Sequence, residues 1–214
     1  MTYLQLVNDV LARLRESSVA TVTTNAYSTL IGKFVNDAKR QVEDAWNWDA
    51  LSATLTLTTS GGTSTLLATG SGPRPRDVTI NDTTNKSRLT NVPIQWIVDQ
   101  QQLSNVTNGP PIYYAWNGNN GTDSYLELYP TPAGAYTLKV NCYVPQAELS
   151  NGSDVILVPS EPVIAGAFAR ALAERGEDGG FSSSEAYGLY KSILSDYIAL
   201  ENSRFVEYST FVPV

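Results

Sequence analysis

The chain has 214 residues, of which only 16% are charged, and its formal net charge is −7. It contains one cysteine and no histidine, which excludes an internal disulfide framework, zinc sites built on cysteines and catalytic relays that need histidine. The acidic balance argues against broad nucleic-acid binding, because phosphate contacts require dense lysine and arginine.

Two amphipathic helices are predicted at the start of the chain. Residues 2–16 carry leucines and a valine at helical spacing, and residues 25–48 carry a longer apolar stripe of the same period. Thr24 or Asn25 can cap the longer helix at its N-terminus. A short Ser/Thr/Val connector between them favours an antiparallel pair.

After Trp48 the apolar period changes from about 3.6 residues to 2, which indicates a change from helix to strand. Short apolar runs then alternate with Gly, Pro, Asn and Asp, with one short helix predicted over 93–103. We therefore predict a small antiparallel β module over residues 51–150, with a sandwich-like or barrel-like core. No apolar run approaches the roughly 18 residues of a membrane span, so we expect no membrane partner.

Helical spacing returns over residues 160–176 and 183–204. The predicted fold class is therefore α+β, with a bundle of about four helices, an inserted β module and an extended C-terminal tail. The predicted division assigns 1–50 and 151–204 to the bundle, 51–150 to the module and 205–214 to the tail.

The sequence carries no pattern that indicates catalysis. The glycine-rich run over 70–75 lacks a following Gly-Lys-Ser/Thr and contains prolines, so we expect a surface loop and no phosphate site. No metal-ligand cluster and no spaced pair of carboxylates stands out, and Cys142 lies in a predicted strand as a buried thiol. We predict no enzymatic activity and no cofactor.

Two groups of residues could form binding surfaces in the β module. The basic group is either a solvated loop face or a contact for DNA or an acidic partner subunit, and it consists of Arg74, Arg76, Lys86 and Arg88. The aromatic group could line a sugar-binding face, but we favour packing in the core; it includes Tyr113, Tyr114, Trp116, Tyr125, Tyr129, Tyr136 and Tyr143.

The last helix and the tail carry more apolar residues than one packing partner needs. Apolar side chains cover about half of the helix circumference within 183–204. The tail is equally apolar, so we expect it to dock on a partner through its large side chains; these are Phe205, Tyr208, Phe211, Val212 and Val214.

The first 60 residues resemble the adaptor (head-to-tail connector) proteins of short-tailed bacteriophages, with those of the tail tubular protein A type as more distant relatives. The similar stretches are MTYLQLVNDVLARLRE and LIGKFVNDAKRQVEDAWNWDALSATLTLTT. Beyond them only the order of elements agrees. The resemblance rests on Asn36, Asp37, Ala38, Arg40, Gln41, Trp46 and Trp48.

The resemblance implies a structural virion protein. Such adaptors form a ring, commonly of twelve copies, that joins the portal to the next tail component, a nozzle or fibre protein. Genomic DNA passes through the lumen of the ring without specific binding. The expected location is the neck and tail of the virion, after assembly in the host cytoplasm.

Two other classes of function stay open on the sequence alone. A carbohydrate-binding β module would present its aromatic residues on an exposed strand face. A glycan-active tail enzyme would need two carboxyl groups about 5 to 10 Å apart in a cleft.

Overall fold

The computed structural model describes residues 1–103, 107–176 and 181–204. The chain divides into two units. The helical unit comprises Met1–Ala50 and Gln146–Val214, and the β unit comprises Leu51–Pro145. The predicted tail, 205–214, lies outside the described residues.

Five α-helices are described, four in the helical unit and one in the β unit. Their bounds are α1 Tyr3–Arg13, α2 Ala26–Ala45, α3 Ile94–Leu103, α4 Ser160–Arg175 and α5 Phe181–Asn202. Together with two four-stranded sheets they confirm the predicted α+β class. No helix among the described residues is long and apolar enough to cross a bilayer.

The helix ends follow from local side-chain chemistry. Thr2 and Gln5 form a capping box at α1, and Asn25 and Ser28 form one at α2, so orphan N–H groups at both starts are satisfied. At the end of α4, Gly176 adopts a left-handed conformation with φ 60°, which glycine tolerates better than other residues.

The predicted end of the long helix at Trp48 was wrong by one turn. The helix α2 ends at Ala45, and Trp46 has extended backbone angles of −154° and 162°. The Trp48 side chain folds back, and its indole N–H donates to the Val42 carbonyl at 2.7 Å. Trp48 is therefore buried below the last turn of the helix and does not extend it.

The helix α4 lies at the centre of the helical unit, where it packs against α5, α2 and α1. Small residues permit these close crossings. At Gly166 an added Cβ would lie 3.1 Å from a Tyr190 ring atom and 3.2 Å from the Ala38 Cβ. Three helices therefore meet at one glycine.

The described residues of the β unit form ten strands, in two main sheets and one two-stranded ribbon. Sheet I has the order β1-β10-β3-β4, sheet II has the order β2-β8-β7-β5, and β6 pairs with β9. The strands are β1 Ser52–Thr58, β2 Thr65–Leu67, β3 Arg76–Asp82, β4 Ser87–Arg88, β5 Thr90–Asn91, β6 Asn108–Gly109, β7 Tyr113–Asn119, β8 Ser124–Tyr129, β9 Thr131–Pro132 and β10 Thr137–Tyr143.

The two main sheets share one apolar core. Ile80 and Val140 of sheet I pack with Leu126 and Leu128 of sheet II, and Cys142 is a buried free thiol in the same cluster. The long strands pair antiparallel as predicted, but the short pairs β5–β7 and β6–β9 are parallel. The result is a small sandwich with α3 packed on β7 and β8.

Candidate assembly surfaces

Asn36, one of the residues that carry the sequence resemblance, is the first member of a polar clamp on α2. The Asn36 amide donates to the Leu149 carbonyl and accepts from the Leu149 N–H, both at 3.0 Å. One helical turn later, Lys39 donates to the Gln146 carbonyl at 2.7 Å, and Glu43 accepts from the Gln146 N–H at 3.2 Å. We call Asn36, Lys39 and Glu43 the α2 clamp; it binds the backbone of Gln146 and Leu149, which lie outside the helices and strands.

Two members of the α2 clamp form a buried ion pair. Lys39 Nζ lies 3.0 Å from Glu43 Oε1, and each side chain is only 1% exposed. Burial raises the pKa of Glu43 above its ordinary value, against the opposing hydrogen bond and charge of Lys39. A buried charge is tolerated only when it is paired, so neither member can be removed alone without cost.

Gln146 is a structural residue that sequence reasoning missed. Its side-chain amide donates to the Val155 carbonyl at 2.7 Å and accepts from the Leu157 N–H at 3.2 Å. Both backbone groups of Gln146 are bound by the α2 clamp at the same time. The spacing of Asn36, Lys39 and Glu43 on one helical face was the available signal.

Other residues that carry the resemblance also make contacts within the helical unit. Arg40 contacts Asp37 at 3.1 Å and Glu148 at 3.0 Å. The side-chain amide oxygen of Gln41 accepts from the guanidinium of Arg170 in α4 at 2.7 Å. The residues that carry the resemblance therefore stabilise the helical unit and include no reactive group.

The structure separates the predicted basic group into two parts. Arg76 begins β3, and Arg88 pairs with Asn81 near the other end of that strand. Five residues at about 3.4 Å each place Arg76 and Arg88 roughly 17 Å apart along β3. Arg74 is exposed beyond the start of β3, whereas Lys86 and Arg88 lie together at the β3–β4 hairpin.

One exposed apolar residue lies next to the hairpin. The Thr90 N–H donates to the Ile112 carbonyl at 2.8 Å, two residues beyond Arg88, and the Ile112 side chain is 50% exposed. Lys86 and Arg88 are exposed and have no hydrogen bond or ion pair within the described residues. We call Lys86, Arg88 and Ile112 the basic edge.

The glycine-rich run binds a carboxylate of the same chain. The backbone N–H groups of Gly70 and Gly72 both donate to one carboxylate oxygen of Asp123, at 3.0 and 3.1 Å. The Ser71 hydroxyl accepts from the Ser124 N–H at 3.1 Å. Concave runs of N–H groups can bind phosphate, but Asp123 already occupies this one.

Glu127 is a second internally satisfied carboxylate, only 4% exposed. It accepts hydrogen bonds from the hydroxyls of Ser64 and Thr65 and from the amides of Gln101 and Asn117. Burial alone would raise the pKa of Glu127, but these four donors outweigh it and hold the pKa below its ordinary value. Glu127 thereby fixes α3 and β7 to its own strand as a structural anion.

Burial makes the surfaces of the two units electrostatically different. The helical unit contains nine Lys and Arg against sixteen Asp and Glu, whereas the β unit contains five of each. Within the β unit, Asp82, Asp123 and Glu127 are buried. The exposed charge that the described β unit presents is consequently cationic, with Lys86 and Arg88 at its hairpin.

The outer side of α5 carries large apolar residues that are exposed. Leu189 is 60% and Leu200 63% exposed, and Glu185 and Asp196 lie on the same side, within about 60° at 100° per residue. Neither carboxylate has a described hydrogen bond or ion pair. These four residues, which we call the α5 stripe, extend over roughly 22 Å.

The aromatic residues of the β unit pack internally. Trp96 of α3 contacts Tyr113 at 4.9 Å and Tyr129 at 5.6 Å between ring centroids, and Tyr114 is buried with its hydroxyl donating to the Val78 carbonyl at 3.1 Å. The expectation of core packing is confirmed for Tyr114, whereas Trp96, Tyr113 and Tyr129 pack against one another and are half-buried. They attach α3 to sheet II and connect the two sheets.

One known protein family matches this chain. The sequence profile described as SU10 adaptor protein matches residues 1–210, almost the full chain. The chain belongs to the SU10 adaptor protein family. No curated protein matches this SU10-family chain.

Membership in the SU10 adaptor family confirms part of the sequence-based expectation. The family is one of bacteriophage structural proteins, as the resemblance implied. The finer likeness to adaptors of short-tailed phages and to tail tubular protein A stays a prediction. The predicted docking residues 205–214 lie outside the described part of the chain, and the basic group is present only as two separated pairs.

Proposed function

We propose that this SU10-family protein is a neck component of a short-tailed phage virion. It forms a ring of twelve copies that joins the portal to the next tail protein, a nozzle or fibre, and continues the DNA channel. The family membership supports the adaptor role, and the ring, its copy number and its channel are our proposal. The protein acts by assembly, without catalysis or cofactor.

The α5 stripe is the observation that carries the ring proposal. A helix that packs on one neighbour normally directs its large apolar residues toward that neighbour. In α5, Tyr190 is buried against α4 while Leu189 and Leu200 remain largely exposed. Apolar surface of this kind marks an interface, so a further subunit is expected to cover it.

Charge distribution supports passage of DNA without tight binding. The net charge of −7 disfavours adhesion of a polyanion. The N–H groups of Gly70 and Gly72, which could otherwise hold a phosphate, are already bound to Asp123. We therefore infer a lumen that guides DNA and does not grip it.

The tail, 205–214, is proposed to dock on the portal or on an adjacent subunit through its apolar side chains. Each large side chain that is buried contributes about 1.5 to 3 kcal/mol. Removal of residues 205–214 should leave both units folded by circular dichroism and weaken attachment to portal rings. Undiminished attachment of the truncated protein would contradict this role.

Electron microscopy tests the proposed function directly. The full chain is imaged alone and after mixing with purified portal rings, and the expected result is a closed ring stacked coaxially on the portal. Class averages would give the copy number. A protein that stays monomeric and never co-purifies with portal rings would contradict the adaptor role.

A further inference from the structure

Two unlike surfaces of this molecule carry opposite charges, and each also carries exposed apolar side chains. The α5 stripe carries Glu185 and Asp196 beside exposed leucines, and the basic edge carries Lys86 and Arg88 beside exposed Ile112. Within the described residues, all four charged groups lack ionic partners. Each surface therefore offers free charge of one sign next to uncovered apolar area.

The charge difference originates in the folding of the β unit. Its carboxylates Asp82, Asp123 and Glu127 are buried and bonded to their own loops and strands. They add little to the surface field, whereas Lys86 and Arg88 are exposed in water. The helical unit, with sixteen acidic residues against nine basic ones, has the opposite balance.

We propose that the α5 stripe of one copy binds the basic edge of the next copy. This contact rests on the proposed ring function and names the surfaces that form it. Opposite charges across an interface favour the correct partner and suppress the wrong one. The occupant of the α5 stripe is thus a second copy of this chain.

The contact is heterologous, because the two surfaces differ. A surface that binds its own copy produces a closed pair, whereas two different complementary surfaces produce rings or filaments. Pairing of the α5 stripe with itself would bring four carboxylates, Glu185 and Asp196 of each copy, into one interface. Repetition of the stripe-to-edge contact generates a ring if the rotation between copies closes, which the proposed function requires.

Arg88→Glu is the primary test, measured by sedimentation velocity on the full chain at 50 mM and 500 mM NaCl. The expected result is a dissociation constant for self-association raised by about tenfold or more at 50 mM NaCl, since one attraction becomes a repulsion. High salt should weaken the wild type in the same direction, because it screens exposed pairs.

Arg74→Glu is the matched control. It makes the same change in charge at an exposed arginine of the same unit, roughly 17 Å or more from Arg88 along the strand direction. Self-association of the Arg74→Glu variant should stay within about twofold of wild type. An equal loss in both variants would mean that net charge alone decides assembly and would overturn the proposal.

A charge exchange makes the assignment specific to the two surfaces. Asp196→Lys alone should weaken self-association, and its combination with Arg88→Glu should restore most of the lost affinity. Failure of the combined variant to recover would overturn the pairing. All variants alter exposed residues, so their circular dichroism should match wild type.

The remaining outcomes separate this contact from the ring itself. Rings of Arg88→Glu that equal wild type by electron microscopy would refute the contact and leave the ring proposal in place. A wild-type chain that is monomeric at every concentration would refute the contact, and failure to form a ring on the portal as well would refute the ring proposal. Loss of binding to a duplex DNA oligonucleotide in Arg88→Glu, with unchanged self-association, would assign the basic edge to nucleic acid and refute the contact.

Discussion

At the scale of single residues, side chains of the α2 clamp make the backbone hydrogen bonds that a paired strand would otherwise make. Asn36 satisfies both backbone groups of Leu149, and the ion pair of Lys39 and Glu43 satisfies both backbone groups of Gln146. Outside helices, backbone N–H and carbonyl groups usually find hydrogen-bond partners in a neighbouring strand. Here side chains on successive turns of the helix α2 are the partners.

Asn36→Ala should destabilise the helical unit by about 2 to 4 kcal/mol, because it leaves the buried N–H and carbonyl of Leu149 without partners. The free energy of unfolding from urea titration measures the loss. Asp37→Ala is the control, since its exposed ion pair with Arg40 contributes about 0 to 1 kcal/mol. Equal losses in both variants would show that Asn36 is not a clamp residue.

Glu127 gives the stability of the β unit a defined pH dependence. Its pKa lies below its ordinary value in the folded state, so its contribution is complete above the unfolded pKa of about 4.3 and is lost as the pH falls through the lower folded value. Glu127→Gln should destabilise the unit at pH 7 by about 2 to 4 kcal/mol and reduce the further loss of stability at acid pH. Urea titrations at pH 7, 5 and 3.5 measure the free energy of unfolding. An equal acid-dependent loss in wild type and Glu127→Gln would contradict the assignment.

At the scale of elements, the crossing of α4, α5 and α2 depends on the absence of one side chain. Gly166 allows Tyr190 and Ala38 to approach within 3.1 and 3.2 Å of the position where a Cβ would stand. The cost of glycine in a helix is about 1 kcal/mol relative to alanine. The close packing around Tyr190, which is fully buried, offsets that cost.

Gly166→Val should destabilise the protein by about 1 to 3 kcal/mol, because its methyl groups force Tyr190 or Ala38 to move. Gly188→Ala is the matched change in α5, where an added Cβ meets nothing within 4 Å. It should stabilise the helix by about 0.5 to 1 kcal/mol. Thermal unfolding followed at 222 nm compares the two; a tolerated valine at 166 would refute the packing argument.

The sequence predicted elements better than it predicted their partners. Periodicity identified the helices and the change to strands after Trp48, because burial of one face imposes a period on the chain. It did not predict the partners of Asn36 and Glu43, because these partners lie over a hundred positions away in the sequence. The same limit applies to the basic group, which only the register of β3 with β4 separates.

At the scale of the whole molecule, the chain leaves one unit and returns to it. The β unit, Leu51–Pro145, lies between two parts of the helical unit in sequence. Each unit has its own buried apolar residues, Ile31 and Val35 in one and Ile80 and Leu126 in the other. We therefore expect the two units to unfold as separate cooperative bodies.

Ile80→Ala and Ile31→Ala are matched tests of this expectation, since both side chains are fully buried. Each should cost about 2 to 5 kcal/mol by removal of buried methyl groups and creation of a cavity. Differential scanning calorimetry should show two transitions, with only the β-unit transition lowered in Ile80→Ala. A single transition lowered equally by both variants would mean that the units unfold as one.

The α2 clamp has a consequence for how this protein can vary. It recognises peptide groups, which nearly every residue carries, so many side chains should be tolerated at Ala147 and Glu148, which are exposed. Proline is the exception at Gln146 and Leu149, because it lacks the N–H that Glu43 and Asn36 bind. In a saturation mutagenesis library, substitutions should be poorly tolerated at the clamp residues of α2. Substitutions at Ala147 and Glu148, between the two bound residues, should be well tolerated.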